Sequence, residues 1–220
     1  MTTTNITSTA LMKQHPLLLL AIFSISLLLI RAKLTQSVFF FFLIWNLFLA
    51  WLPLRLSSFI ACNKSLVTKN LYFYPLVLTW LLLLPNAPYI ITDFIHLKKE
   101  LQVPVWFDVL LLISFSATGM LFGLASMNDM FSIIKRKFSI TAAWFGMLLV
   151  CLLSGFGIYI GRYLRYNSWD ILHRPFAIVQ DICTTLADPF ELRAATGIIL
   201  GFGVLMFLLF QLYHTPEKNL

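Results

Sequence analysis

Six stretches of about twenty mostly apolar residues follow one another along the chain, each long enough for an α-helix to cross the roughly 30 Å hydrocarbon core of a bilayer. They run approximately from Pro16 to Ala32, Val38 to Leu54, Leu71 to Ile91, Val105 to Met127, Ile140 to Ile160 and Ala194 to Tyr213. Composition agrees: 60% of the 220 residues are apolar and 11% are charged, against roughly 45–50% and about 25% in soluble domains. One soluble core could not hide that much apolar surface. The expected fold is all-α, a polytopic membrane bundle forming a single integral membrane domain over residues 1–220. The first stretch follows Lys13 and ends in Arg31, Ala32 and Lys33 without a small-residue cleavage pattern, so it reads as a retained anchor rather than a signal peptide. Between the fifth and sixth stretches, Phe176 to Phe190 places Phe176, Val179, Cys183 and Leu186 near one helical face, which predicts a short interfacial or re-entrant helix.

The net charge of +7 does not indicate nucleic-acid binding. The basic residues stand in small groups between apolar runs, the densest being Lys135, Arg136 and Lys137, as topology signals and lipid-headgroup contacts do. Lys and Arg divide equally between the two sides of the membrane. Acid placement favours an N-in, C-in arrangement in the plasma membrane: Asp129 and Glu217 fall on the first side, and Asp93, Glu100, Asp108, Asp170, Asp181, Asp188 and Glu191 on the second. Cys62, Cys151 and Cys183 are widely spaced and form no CxxC, so they indicate neither a disulfide framework nor a thiolate metal site. All nine glycines lie at or after Gly119, and six make GxxxG pairs: Gly119 with Gly123, Gly157 with Gly161, Gly197 with Gly201. Such spacing lets helix backbones approach closely in lipid, which predicts a tight half-bundle of the last three helices and faces able to dock a membrane-protein partner.

The third stretch ends in "PNAPYIITDFIHL", from Pro85 to Leu97. Each proline lacks an N–H and pushes its predecessor out of the helical region, so the third helix should break near Leu84. Pro88 suits the first position of a new helix, with Asn86 the better capping residue. A regular helix restarting there would place Tyr89, Thr92, Asp93, His96 and Glu100 in one stripe about 100° wide. Polar groups at that depth must face protein or water, and ionisable ones are functional candidates.

A second polar group follows the fifth stretch in "GIYIGRYLRYNSWDILHRP". Arg162 and Arg165, one turn apart on a continuing helix, would form a clamp for a carboxylate or phosphate. Asn167 and Ser168 could cap a short helix that Pro175 ends. The layout carries Asp93, His96, Asp108, Arg162, Arg165 and Asp170 to one membrane face. Both Asp93 with His96 and Asp170 with His173 are D-x-x-H pairs, a spacing able to share a metal on a helix, although the pattern is short.

"LPNAPYIITDFIHL", "PVWFDVLLL" and "GIYIGRYLRYNSWD", in this order and spacing, resemble the bacterial integral membrane family called domain of unknown function 1361, from about Val38 to Phe210. The resemblance implies a multi-pass bacterial plasma-membrane protein and brings no known activity, ligand or catalytic residue. Its signature stretches coincide with Asn86, Tyr89, Thr92, Asp93 and His96, then Trp106 and Asp108, then Arg162, Arg165, Asn167, Ser168, Trp169 and Asp170. His173 lies beyond them, which favours a site of one histidine, several carboxylates and two arginines over paired D-x-x-H motifs.

The resulting expectation is a polar site at one membrane face. Asp93, His96 and Asp108 are its candidate acid–base groups, and Asn86, Tyr89, Thr92, Arg162, Arg165, Asn167 and Asp170 its ligand-binding residues. An anionic lipid or cell-envelope precursor suits the arginines. Transport and a structural role binding another membrane protein are the competing classes. The sequence contains no GxSxG, HExxH or P-loop pattern and identifies no cofactor.

Overall fold

The computed structural model describes residues 3–97, 103–166 and 170–214. In chain order the helices are α1 (Thr3–Thr35), α2 (Phe42–Cys62), α3 (Lys64–Thr68), α4 (Asn70–Leu83), α5 (Asn86–Tyr89), α6 (Val105–Lys137), α7 (Ile140–Arg162), α8 (Asp170–His173), α9 (Pro175–Ala187) and α10 (Pro189–Tyr213). A 3-10 turn at Phe39–Phe41 leads into α2, and a 3-10 segment, Ile90–His96, continues α5. There are no strands among the described residues. Six helical stretches are long and apolar enough to cross a membrane, the third interrupted by the break. The fold is an all-α polytopic bundle, the only open-ended architecture that satisfies its own backbone hydrogen bonds inside lipid.

Helix α6 is the axis, packing against α1, α2, α5, the 3-10 segment, α7 and α10. It runs ten residues beyond the expected end at Met127, because the polar tail is held by protein partners rather than left in lipid. Asp129 accepts hydrogen bonds from Ser57 and Ser58 of α2, both 3.1 Å. Lys137 donates to the Val67 carbonyl at 2.5 Å and to Asn70 at 2.9 Å. Its ammonium, at the helix C-terminus, also suits the helix dipole. The same contacts let α2 continue past the expected Leu54 to Cys62. On the far side, α1 meets α6 through Ser24 and Thr118, whose hydroxyls are 3.3 Å apart.

Capping sets two other starts. The Ser139 hydroxyl accepts from the Ala142 N–H at 3.0 Å and opens α7. Asp188 accepts from the Phe190 N–H at 2.8 Å, with Pro189 in the first turn, so α10 begins before the expected Ala194. That cap also ends the interfacial helix at Ala187. In α9, Phe176, Val179 and Leu186 point outward and exposed, while Ile178 and Thr185 are buried, the disposition of a helix lying along the bilayer surface.

The glycines do something other than expected. A Cβ on Gly119 would lie 2.6 Å from Ile90 Cδ1, on Gly123 2.7 Å from the Ala87 Cβ, on Gly157 2.6 Å from Pro85 Cγ, and on Gly161 3.1 Å from the Tyr89 ring. Two of the three GxxxG stripes therefore form a slot for the broken segment from Pro85 to Ile90 rather than seams between long helices. The close approach of α7 and α10 uses Gly155, against the Ile199 carbonyl, and Gly203, against the Leu152 backbone. Gly197 and Gly201 meet nothing within 4 Å and are exposed.

Candidate functional site

The break is built as the prolines require. Without an N–H on Pro88, the Leu84 carbonyl is taken by Ala87 at 3.0 Å. Asn86 does not cap the new helix. Its amide donates instead to the Leu83 carbonyl at 2.8 Å, closing the end of α4 from below. From Ile90 to His96 the chain winds as a 3-10 helix, in which residues three apart eclipse. The expected broad stripe becomes two narrow ridges, with Tyr89 and Thr92 on one and Asp93 and His96 on the next. Glu100 lies outside the described residues.

Asp93 is buried, 1% exposed, yet both its oxygens are occupied. Oδ1 accepts from Arg162 Nη2 at 2.5 Å and Oδ2 from Asn46 Nδ2 at 2.8 Å. Arg162 also donates to the Thr92 hydroxyl through Nε at 2.8 Å and Nη2 at 2.5 Å. The Thr92 hydroxyl donates in turn to the Tyr89 carbonyl at 2.6 Å, and the guanidinium lies 4.7 Å from the centre of the Tyr89 ring. Three transmembrane segments are thus fastened to one carboxylate. The His96 ring meets Phe39 and Phe42 edge to face, with centroids 6.0 and 5.3 Å away. Phe39, Phe42, Asn46, Tyr89, Asp93, His96 and Arg162 line an open cavity of about 310 Å³.

Asp108 does not join them. Its carboxylate forms a two-pronged pair with Arg31 of α1, Nε to Oδ1 at 2.6 Å and Nη2 to Oδ2 at 3.3 Å. Both side chains are 1% exposed, and Phe40 covers the guanidinium at 4.3 Å. Asp108 sits in the first turn of α6, where the helix dipole also favours an anion. The pair locks the end of the first span to the start of the fourth.

The arginine clamp does not form either. Helix α7 ends at Arg162, and Arg165 is exposed with φ of 60°, so the i, i+3 relation that a continuing helix would have given is lost. Arg165 and Asp170 do not line the cavity, and Asn167 lies outside the described residues. Tyr166 instead ties this turn to α9 by donating to Asp181 at 2.8 Å. That hydrogen bond, with partial burial, raises the Tyr166 phenol above its ordinary range. A second tie joins Tyr159 and Thr185, 2.9 Å apart. No group of three or more His, Cys, Asp or Glu able to hold a metal comes together among the described residues.

Asn46 and Arg31 escaped the sequence reading. Each had a signal: Asn46 is the lone amide in "FFFFLIWNLF", and Arg31 closes the first apolar run one turn before the end of α1. A polar side chain set among apolar residues in a span points to a partner elsewhere.

Fold and site together define an integral membrane protein with a buried ionic network opening on a cavity at one end of its bundle. Residues 45–209 match the family described as "Protein of unknown function (DUF1361)", and the chain belongs to that family. Asp93, His96, Asp108 and Arg162 all fall within the match, whereas Arg31, Phe39 and Phe42 precede it. No curated protein and no solved structure matches the chain.

Proposed function

We propose that the cavity walled by Asn46, Tyr89, Asp93, His96 and Arg162 receives the anionic headgroup of a lipid or cell-envelope precursor, at one face of a multi-pass plasma-membrane protein. The observation that supports this is the state of Arg162. Its Nε and Nη2 are held by Thr92 and Asp93, its plane is fixed over Tyr89, and its Nη1 has no protein acceptor among the described residues. A guanidinium fixed on one side and open on the other is pre-organised for an oxyanion, so little side-chain entropy is lost on binding. Asp93 is then a positioning residue, since its oxygens are taken by Arg162 and Asn46. His96 brings an imidazole to the same cavity and is the residue through which proton transfer to or from a bound group would run. Asp108 serves as a strut, held by Arg31.

The test is retention of anionic lipid by purified protein in nanodiscs containing phosphatidylglycerol or phosphatidylcholine, read by native mass spectrometry after delipidation. Arg162→Ala and Asn46→Ala should lose the preference for phosphatidylglycerol, while Lys135→Ala, exposed at the opposite end, should keep it. Equal retention by all three variants would refute the assignment.

A further inference from the structure

A second cavity, of about 320 Å³, lies directly beside the first. It is a groove between α2, α4 and α7, with Trp45, Leu49, Leu82, Leu153, Phe156 and Ile160 among its walls, and it shares Asn46 and Tyr89 with the polar cavity. Gly157 and Gly161 form part of its lining, and the space their side chains would take is filled by Pro85 and the Tyr89 ring, which floor the groove. Trp45, Leu82 and Leu153 are exposed on the outside of the bundle, which leaves the groove open sideways to lipid.

Its dimensions select the occupant. Along α7 the lining runs from Leu153 to Gly161, roughly 12 Å at 1.5 Å per residue. A volume of about 320 Å³ open to the centres of water-sized spheres, spread over roughly 12 Å, leaves a clear width of roughly 8–9 Å once a water radius is added on each side. A helix with its side chains is about 10–12 Å wide and does not fit. A single hydrocarbon chain does, and an apolar wall beside a charged headgroup cavity is the arrangement that an amphiphile needs.

From the reading of the polar cavity as a headgroup site, we infer that the groove is its tail subsite. The ligand is then an amphiphile with an anionic head at Arg162 and one hydrocarbon chain threaded past Asn46 and Tyr89 toward Leu153. In this arrangement the head supplies recognition. The tail gains little from leaving lipid that is as apolar as the groove, so the groove selects by width and position rather than by hydrophobicity.

The experiment uses the full chain in nanodiscs with trace phosphatidylglycerol or phosphatidylcholine probes carrying a photoreactive diazirine on one acyl chain, and maps adducts by mass spectrometry. The phosphatidylglycerol probe should label Leu49, Leu153 and Phe156, and the phosphatidylcholine probe should do so far less. Arg162→Ala should lower groove labelling about tenfold, the size expected for losing a charged hydrogen bond. Leu153→Trp and, independently, Leu49→Trp should block groove adducts while Arg162-dependent retention of phosphatidylglycerol persists. If that retention persists in the unmodified chain but adducts scatter over the lipid-facing surface, the tail subsite is refuted and the head site stands. If both probes label the groove equally and Arg162→Ala changes nothing, the head site fails and the tail inference falls with it.

Discussion

Removing one partner of the Arg31–Asp108 pair should be far more damaging than removing both. In Asp108→Leu the Arg31 guanidinium, 1% exposed, keeps its burial and loses the two-pronged Asp108 carboxylate. Breaking a buried ion pair in this way costs about 3–5 kcal/mol. The face of Phe40, 4.3 Å away, already covers the guanidinium in the unmodified chain and offsets none of this loss. At about 2–4 °C per kcal/mol for a chain of this size, the apparent Tm should fall by roughly 6–20 °C. Arg31→Met should fall less, because Asp108 remains in the first turn of α6 and its charge is partly met by the helix dipole. The double variant should recover most of the loss, since apolar replacement of a whole buried pair is often near neutral. Unfolding in detergent can be followed with a thiol-reactive dye at Cys151, which is buried in α7, after the exposed Cys62 and Cys183 are changed to serine. A drop of less than about 2 °C in Asp108→Leu, or a double variant as unstable as the two singles added together, would refute a pair that acts as a strut.

Two further outcomes can be read with the same dye. Gly157→Val should destabilise by about 1–3 kcal/mol, because its Cβ would lie 2.6 Å from Pro85 Cγ, whereas Gly201→Val, with nothing within 4 Å, should leave the apparent Tm unchanged. Ser139→Ala should lose the cap on α7 and about 1 kcal/mol; an unchanged Tm would mean that water or another group replaces it.

The helical breaks show where local rules suffice. Single prolines are carried inside α2 and α4, at Pro53 and Pro75, but Pro85 and Pro88 remove two N–H donors within one turn, and the helix breaks there because a missing N–H and a steric clash belong to the residue itself. The 3-10 winding that follows does not belong to the residues alone. Ile90 is pressed into the slot over Gly119, and its carbonyl accepts from Ser116 at 3.3 Å, so α6 dictates the path that turns Asp93 and His96 onto one ridge. Arg165 makes the same point in reverse. Its spacing from Arg162 matters only while the helix continues, and the helix stops at Arg162.

The sequence by itself determined the six apolar stretches, the break near Leu84, and the end of the bundle at which Asp93, His96 and Arg162 line one cavity. Hydrophobic length, proline geometry and the alternation of sides are properties of the chain read in order. Only the tertiary structure decided the partners. It matched Asp93 with Arg162 and Asn46, gave Asp108 to Arg31, and turned the glycine stripes of α6 and α7 toward the broken segment. The physical reason is that a buried charge must find a counter-charge or a donor within reach. Which group is within reach depends on how the helices rotate and cross, and periodicity along one helix says nothing of its neighbour.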